Sequence, residues 1–486
     1  MKSKIYILIS MLVIGCFSSG YTKPVNIETA KLVAKNWYYE RSEKHVKNAE
    51  IRDVFMERDN SENIFYIFNL GEKGFVIVAG DDVSIPILGY SSENNYSEKN
   101  RPPALEFLMR MYKMQIIDAK NNNLSPFEKA KDEWERLTVD SNSFIRTDYR
   151  DVSPMLTTIW GQGTYFNTSC PADTAGPDDH VVTGCAATAM AQVLNYWEHP
   201  WHGEGSHSYT NPPYGTLTAE FENTIYNYDN MPDTVSTYNI DVATLLYHCG
   251  VSVEMDYGPH GSSAWGWCDH SVSEALEDYF YFDDDVHHIV QSVHTMDWWR
   301  NRMKTELNAG RPVIYGGRDD DEDAGHAWVI DGYAGDYFHM NWGWSGSDDG
   351  YFLIDDPSPG VYNFNDWMHA CVNAEPKIAH LDGTWDLASS PYYINYDQVI
   401  DTGDLLTIEP GVEVIFQGRY QIKVEGALHA EGTPSDSIIF TVRHSPLNWF
   451  PIGWRGLRFH DTNEAPEDTS RLSFCVSEAW KSKRRI

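Results

Sequence analysis

Positive charge is scarce in this chain: 37 Lys and Arg stand against 71 Asp and Glu, a formal net charge of −34 over 486 residues. Such a surface repels phosphate backbones and anionic lipid, which argues against nucleic acid as a partner. Cysteine is scarce too. The seven (Cys16, Cys170, Cys185, Cys249, Cys268, Cys371 and Cys475) are too few and too irregularly spaced for a disulfide framework, and no specific bridge is expected. Beyond the first 22 residues no apolar run is long enough to cross a membrane. Closed metal-ligand spacing is also missing. His199, His202 and His207, and likewise His287, His288 and His294, read as solvated loops, while the acidic run 319–323 lacks the glycine and terminal glutamate of a calcium loop. No cofactor or metal is expected.

What is present describes a packed protein. Apolar residues make up 42% and aromatics 14%, enough to offset ordering entropy, and the length calls for two or three domains. Residues 1–22 carry Lys2 and Lys4, an apolar run from Ile5 to Ile14, then small residues, the pattern of a secretory signal. Two endings stay open: ordinary cleavage near Ser18–Gly20 with free secretion, or lipidation at Cys16 after Val13-Ile14-Gly15, giving cell-surface attachment.

Residues 23–145 read as a small α+β unit. Val25 to Tyr39 and residues 103 to 120 have helical apolar spacing, and ENIFYIFNLGEKGFVIVAG (62–80) reads as two strands around a Gly-Glu-Lys-Gly turn. The polar stretch LTVDSNSFIRTDYRDVSP (137–154) has no period and suits an exposed, cleavable linker. Residues 150–376 place helices first (after Gly184, at Asp241 to His248, at Trp298 to Asn308) and strands later, an α+β architecture. Residues 380–486 turn to short alternating strands with Gly/Pro turns, a β-helix-like or sandwich module that reads as incomplete.

The chemistry gathers in 150–376. Cys185 follows Thr183-Gly184 at the first turn of a helix, where free amide N–H groups favour a thiolate. Taken alone it reads better as a small buried hydrophobe, and only its context overturns that. A base is available in His326, about 140 residues downstream in the strand GHAWVIDGY, an interval seen between the cysteine and histidine of papain-type enzymes. Strand alternation points Asp331 away from the His326 face, so Asn341, ending the next strand of a hairpin, is the candidate to hold the imidazole, with Trp342 as its shield. The Asn-Trp-Gly-Trp run also reads as a packed aromatic turn. Gln162 in TIWGQGTYFN is the candidate second oxyanion donor beside the Cys185 N–H, or an ordinary surface residue.

Four motifs occur in sequence: TGCAATAMAQ (183–192), VSVEMDYGP (251–259), GHAWVIDG (325–332) and HMNWGWSG (339–346). Together they resemble the streptopain family of secreted bacterial cysteine peptidases. GFVIVAGD (74–81) with ILGYS (87–91) is similar to that family's inhibitory propeptide. The resemblance implies a papain-like fold, synthesis as a zymogen inhibited by its own propeptide, and endopeptidase action on proteins and peptides. It makes Cys185 the nucleophile, His326 the base, Asn341 the orienting group, Trp342 the shield and Gln162 an oxyanion donor. Ser262 and Ser263, in the loop after Tyr257-Gly258-Pro259, become candidates for the substrate cleft. Two other readings remain: a transglutaminase-type acyl transferase, and an inactive surface-binding protein acting through the C-terminal module.

Overall fold

The computed structural model describes residues 22–42, 44–147, 151–264, 271–319, 324–354, 368–442, 453–460 and 469–478. Helix α1 (Ile27–Arg41) starts where the Asn26 side chain accepts from the Thr29 N–H at 2.9 Å, and it buries Ala30, Val33, Ala34 and Trp37 along one stripe. Strands β1 (Ile51–Asp59), β2 (Glu62–Leu70), β3 (Phe75–Ala79) and β4 (Ile87–Ser91) form an antiparallel meander, followed by α2 (Pro103–Asn121) and α3 (Glu128–Leu137). The sequence reading found α1, β2, β3 and α2. It missed β1, whose half-buried residues dilute the alternation, and α3, which buries only Ala130, Trp134 and Leu137.

The linker is less free than its polarity suggested. The Asn36 amide donates to Leu137 O at 2.9 Å and Val139 O at 2.8 Å and accepts from Ser141 Oγ at 2.8 Å, while Phe144 is buried. Exposure concentrates at Ile145, Arg146 and Thr147; Arg150 lies outside the described residues. Strand β5 (Asp151–Val152) then pairs with the main sheet.

The next part carries α4 (Cys185–Trp197), the hairpin β6 (His207–Asn211) and β7 (Gly215–Ala219), α5 (Ile240–Ser252), α6 (Val272–Phe280), β8 (His287–Val290) and α7 (Met296–Asn308). Strands β9 (Val313–Asp319), β10 (Ala324–Ala334), β11 (Tyr337–Asn341), β12 (Gly350–Leu353) and β13 (Met368–Val372) follow. Strand β4 pairs antiparallel with β12, Gly89 opposite Phe352 and Tyr90 opposite Tyr351, so the N-terminal meander and the later strands make one sheet in the order β1-β2-β3-β4-β12-β11-β10-β9-β13-β8. Gly89 is required at that seam: a Cβ there would lie 2.5 Å from the Phe352 ring. Alternation sorts the faces. Tyr315, Trp328 and Ile330 share a core with α2 and α7, whereas Ile314, Ala327 and Val329 share one with α4 and α5.

The C-terminal strands settle the open alternative in favour of a parallel β-solenoid. β14 (Ala379–His380), β15 (Gly383–Trp385) and β16 (Tyr392–Ile394) form its first turn. β17 (Gln398–Ile400), β18 (Leu405–Ile408) and β19 (Glu413–Phe416) form the second, and β20 (Gln421–Val424), β21 (Ala427–Glu431) and β22 (Ile438–Val442) the third. β23 (Gly456–Phe459), β24 (Arg471–Ser473) and β25 (Cys475–Glu478) pair in register on these. Inward Ile394, Leu406, Ile408, Val414, Phe416 and Phe440 fill it. Trp201, beyond the end of α4, joins this core: its N–H donates to Tyr420 Oη at 2.8 Å, and Gly418 has no room for a Cβ beside the indole. Arg419 lies over the Trp201 ring and pairs with Asp229. The solenoid is thus seated on the central domain.

Two histidine readings change accordingly. His199 and His202 are buried at this junction rather than solvated, and burial pushes His199 down to about 4. In the other group, His288 is half-buried and shares a 2.8 Å contact with His369. Residues 320–323 of the acidic run, with Cys16 and Cys268, lie outside the described residues; the five described cysteines are all unbridged.

Candidate active site

Cys185 is the first residue of α4, and the chain reaches it through Gly184 at φ 90°. A side chain at 184 would be strained there and would come within 2.7 Å of the Met255 sulfur. Two loops are pinned to this approach. The Thr183 N–H donates to Gln162 O at 3.0 Å, and Ser262 Oγ donates to Val182 O at 2.6 Å while accepting from the Gly258 N–H at 3.1 Å. Ser262 therefore shapes the loop beside Cys185 and has its hydroxyl committed to backbone. Ser263 is exposed, its backbone paired with Asp256.

Burial pushes the Cys185 thiol up, opposed by the N–H groups of Ala327 and Ala186. The helix start alone therefore does not ionise this sulfur, contrary to the simplest expectation from its position. The Ala327 contact is informative about place, because it sets the sulfur against β10 at the residue following His326. His326 itself pairs with Gly317 across β9, and its ring lies 5.9 Å from that of Phe107 in α2. Phe107 also fills the space a Cβ at Gly317 would need. An N-terminal helix thus rests on the candidate base.

Asn341 stands apart from His326. It pairs with Val329, on the opposite strand face from His326, and its amide is engaged: Oδ1 accepts from Gln192 Nε2 at 3.0 Å and the Gly343 N–H at 3.1 Å, and Nδ2 donates to Thr158 O at 2.7 Å. Alternation, applied to Asp331, should have been applied to Asn341 as well. Trp342 is on the His326 side, fully buried, its ring 5.4 Å from Trp328 and 5.2 Å from Phe352. Its indole N–H donates to Asp348 O at 3.0 Å. The side chain of Gln162 has no hydrogen-bond partner among the described residues, which leaves its amide available.

The residue missed by sequence reading is Gln192. Completely buried two turns after Cys185, it accepts from the Trp160 N–H and Thr158 Oγ1, each at 3.1 Å, and donates to Asn341. Gln192 and Asn341 together hold the 158–162 loop, and hence Gln162, against α4. The signal was available: a glutamine inside an otherwise apolar helix must find buried partners. Replacing Gln192 with leucine should lower kcat about tenfold or more with a smaller change in KM, because it misplaces the loop and leaves Asn341 short of a donor. Steady-state kinetics on a short peptide, with a melting curve to verify folding, checks this.

A second cluster joins the N-terminal unit to the sheet. His339 is buried, its Nδ1 2.6 Å from Asp331 and its Nε2 3.2 Å from Glu93. Burial pulls His339 down, but Asp331 and Glu93 outweigh it and raise it to about 10. Burial pushes Glu93 up, and the His339 imidazolium brings it net below the usual range. The pair is therefore fully formed below the ordinary histidine pKa and lost only as pH rises through about 10 or falls through the depressed Glu93 value. Between those limits two other carboxyls titrate. Burial raises Asp349 to about 7 and Asp348 to about 6, at a seam where Ser91 Oγ donates to Asp349 O and the Ser97 N–H to Asp348 Oδ1. Their docked form holds protons more tightly than a solvated form would, so docking weakens as pH rises through 6 to 7. The precursor should open at least about tenfold more readily at pH 8 than at pH 5, and Asp349→Asn should make the profile shallower; hydrogen exchange in β4 measures both.

A thiol at a helix start, a histidine-bearing strand beside it and an N-terminal helix laid on that histidine define a latent papain-like thiol protease. Residues 160–352 match the Peptidase C10 family, and residues 22–116 match the Spi protease inhibitor. Streptopain of Streptococcus pyogenes is 30% identical over 336 residues, covering 64% of this chain and 80% of its own. The thiol protease/hemagglutinin PrtT of Porphyromonas gingivalis is 29% identical over 365 residues, 72% of this chain but only 41% of that protein. A solved cysteine-to-alanine fragment of Prevotella intermedia prointerpain A superposes with a TM-score of 0.56 at 32% identity, covering 68% of this chain and 99% of the fragment. The chain belongs to the peptidase C10 family and carries that family's Spi-type inhibitory propeptide.

Proposed function

We propose that this chain is the exported zymogen of a cysteine endopeptidase. The observation that carries the reading is the Phe107 ring against His326, with the Cys185 sulfur at the neighbouring Ala327 N–H. When the propeptide leaves, His326 turns from its place against Phe107 towards the sulfur and takes the Cys185 proton, and the thiolate attacks a peptide carbonyl. The carbonyl oxygen, now negative, is received by the Cys185 N–H and the Gln162 amide. The tetrahedral adduct collapses to a thioester as His326 protonates the departing amine. Water, deprotonated by His326, then releases the acid and restores the thiol. Trp342 and Trp328 keep the sheet beneath the imidazole dry, and Gln192 with Asn341 positions the donor loop. Cleavage at the exposed 145–147 stretch would separate propeptide from enzyme.

The substrates of this reading are proteins and peptides, and the propeptide is an inhibitor in cis. Export follows from the apolar leader, and among the described residues no helix is long and apolar enough to cross a membrane. Retention at the cell surface through Cys16 is the finer proposal, tested by the N-terminal sequence of the exported protein. The enzyme assignment is tested with an epoxide inhibitor of cysteine peptidases after propeptide removal. One adduct per molecule, mapped by mass spectrometry to Cys185, is expected; labelling at another cysteine, or none, refutes it.

A further inference from the structure

Loss of the propeptide, on the zymogen reading above, takes β1 to β4 away together and leaves β12 as the outer strand of the order β12-β11-β10-β9-β13-β8. A bare strand edge is a template for another strand. In the precursor that template is filled in a particular way. Gly89 lies opposite Phe352, where a Cβ would come within 2.5 Å of the ring, so the position admits no side chain. Tyr90 lies opposite Tyr351, the two rings stacked with centroids 5.1 Å apart and planes 7° from parallel. β12 thus suits an antiparallel strand in which a glycine is followed directly by a tyrosine.

β12 contains that dipeptide itself, as Gly350-Tyr351. Laying a second β12 antiparallel on the first, with its Gly350 and Tyr351 in the places of Gly89 and Tyr90, sets Tyr351 opposite its own copy. Gly350 of each strand then faces Phe352 of the other, so a single register meets both demands twice. Alternation keeps Gly350 and Phe352 on one face of the sheet and Tyr351 on the other, as the glycine and tyrosine of β4 are placed in the precursor. A strand complementary to itself in this way makes a closed two-fold contact rather than an open chain. Apolar surface is bared beside the same edge. The propeptide covers Tyr337 with Trp37 and Tyr90, at 5.1 and 5.7 Å between ring centroids, and Phe352 with Phe75 at 6.1 Å. Its departure therefore exposes aromatic rings on both faces, which a second copy can cover again.

We propose that the mature enzyme forms a two-fold dimer in which β12 pairs antiparallel with β12 of a second copy, joining the two sheets into one. The precursor, whose β4 occupies that edge, is monomeric. A four-residue edge is small against the roughly 1,000 Å² of a stable interface, so the dimer is reversible, with a Kd on the order of 10 μM. Copies of so acidic a chain, −34 over its whole length, repel one another, and added salt should tighten the dimer. The test is sedimentation velocity across that concentration range, on propeptide-free protein blocked at Cys185 by the epoxide inhibitor and on uncut Cys185→Ala precursor. The first should pass from monomer to dimer mass and the second should not. Tyr351→Lys and Tyr351→Glu place like charges opposite each other, so each alone should weaken the dimer about tenfold or more, and an equal mixture of the two should pair again, which misfolded protein would not do. The proposal is overturned if the mature protein stays monomeric, if the precursor dimerises as well, if either charged variant dimerises like the wild type, or if mixing restores nothing. Peptide hydrolysis measured before blocking keeps the two readings apart: an active enzyme that stays monomeric refutes the pairing alone, and an inactive one refutes the zymogen reading while sedimentation still decides the pairing.

Discussion

Cys185→Ala should reduce peptide hydrolysis by a factor on the order of 10⁴ or more and leave the purified chain as uncut precursor. Nothing else in the neighbourhood can replace the sulfur. The other described cysteines are buried or lie in the solenoid, and burial pushes the Cys170 and Cys371 thiols up to about 12. Removing one sulfur atom from this half-buried residue costs little stability, so a nearly unchanged melting curve should accompany the loss. Fluorogenic-peptide kinetics and a denaturing gel over time give the readout. An alanine variant that still matures by itself would move the nucleophile elsewhere.

Phe107→Ala should make the precursor leak. The ring is 5% exposed within the largest core cluster and touches both His326 and the bare backbone at Gly317, so it is the N-terminal unit's principal apolar hold on the candidate site. Truncating a buried phenylalanine costs about 3–5 kcal/mol. That cost is borne where the helix meets β9 and β10. If half of it falls on docking, the open fraction rises on the order of tenfold, and about a thousandfold if all of it does. The uncut variant, kept so by replacing the exposed linker residues, should hydrolyse a small peptide measurably while the wild-type precursor stays silent. Hydrogen exchange separates leakage from collapse: protection lost at the β4–β12 seam with β2 and β3 intact supports release, and protection lost throughout the meander would show a folding defect instead.

Much of this was readable before any coordinates. The alternating and helical periods in 62–80 and 103–120 fix elements whose buried faces are continuous, and GHAWVIDGY announced a strand because its even and odd positions differ in kind. The candidate thiol and imidazole stood out by a glycine-led helix start and by spacing, signals too weak alone, and the four ordered motifs singled them out. What pairing does to a side chain was not legible. Asn341 is adjacent to Trp342 in sequence yet serves the other face of the sheet, holding Gln192 and the 158–162 loop. The Ser262 hydroxyl looked free in the sequence and is consumed by Val182. His199 and His202 looked solvated because their neighbours are polar, while they pack on Tyr281 and Phe282 some 80 residues on and, for His199, on Tyr420 of the solenoid. Long-range partners of this kind leave no local period to read.

The shared seam between β4 and β12 makes maturation an unzipping of backbone as well as a cut in the chain. Once β4 departs, the amides and carbonyls of Tyr351 and Phe352 that it satisfied face water along a bare border. A freed propeptide that keeps its meander still presents the complementary border, with Gly89 leaving room for Phe352. Severed propeptide can therefore return as a competitor in solution, and how long a culture stays proteolytically quiet will depend on how quickly that fragment is destroyed.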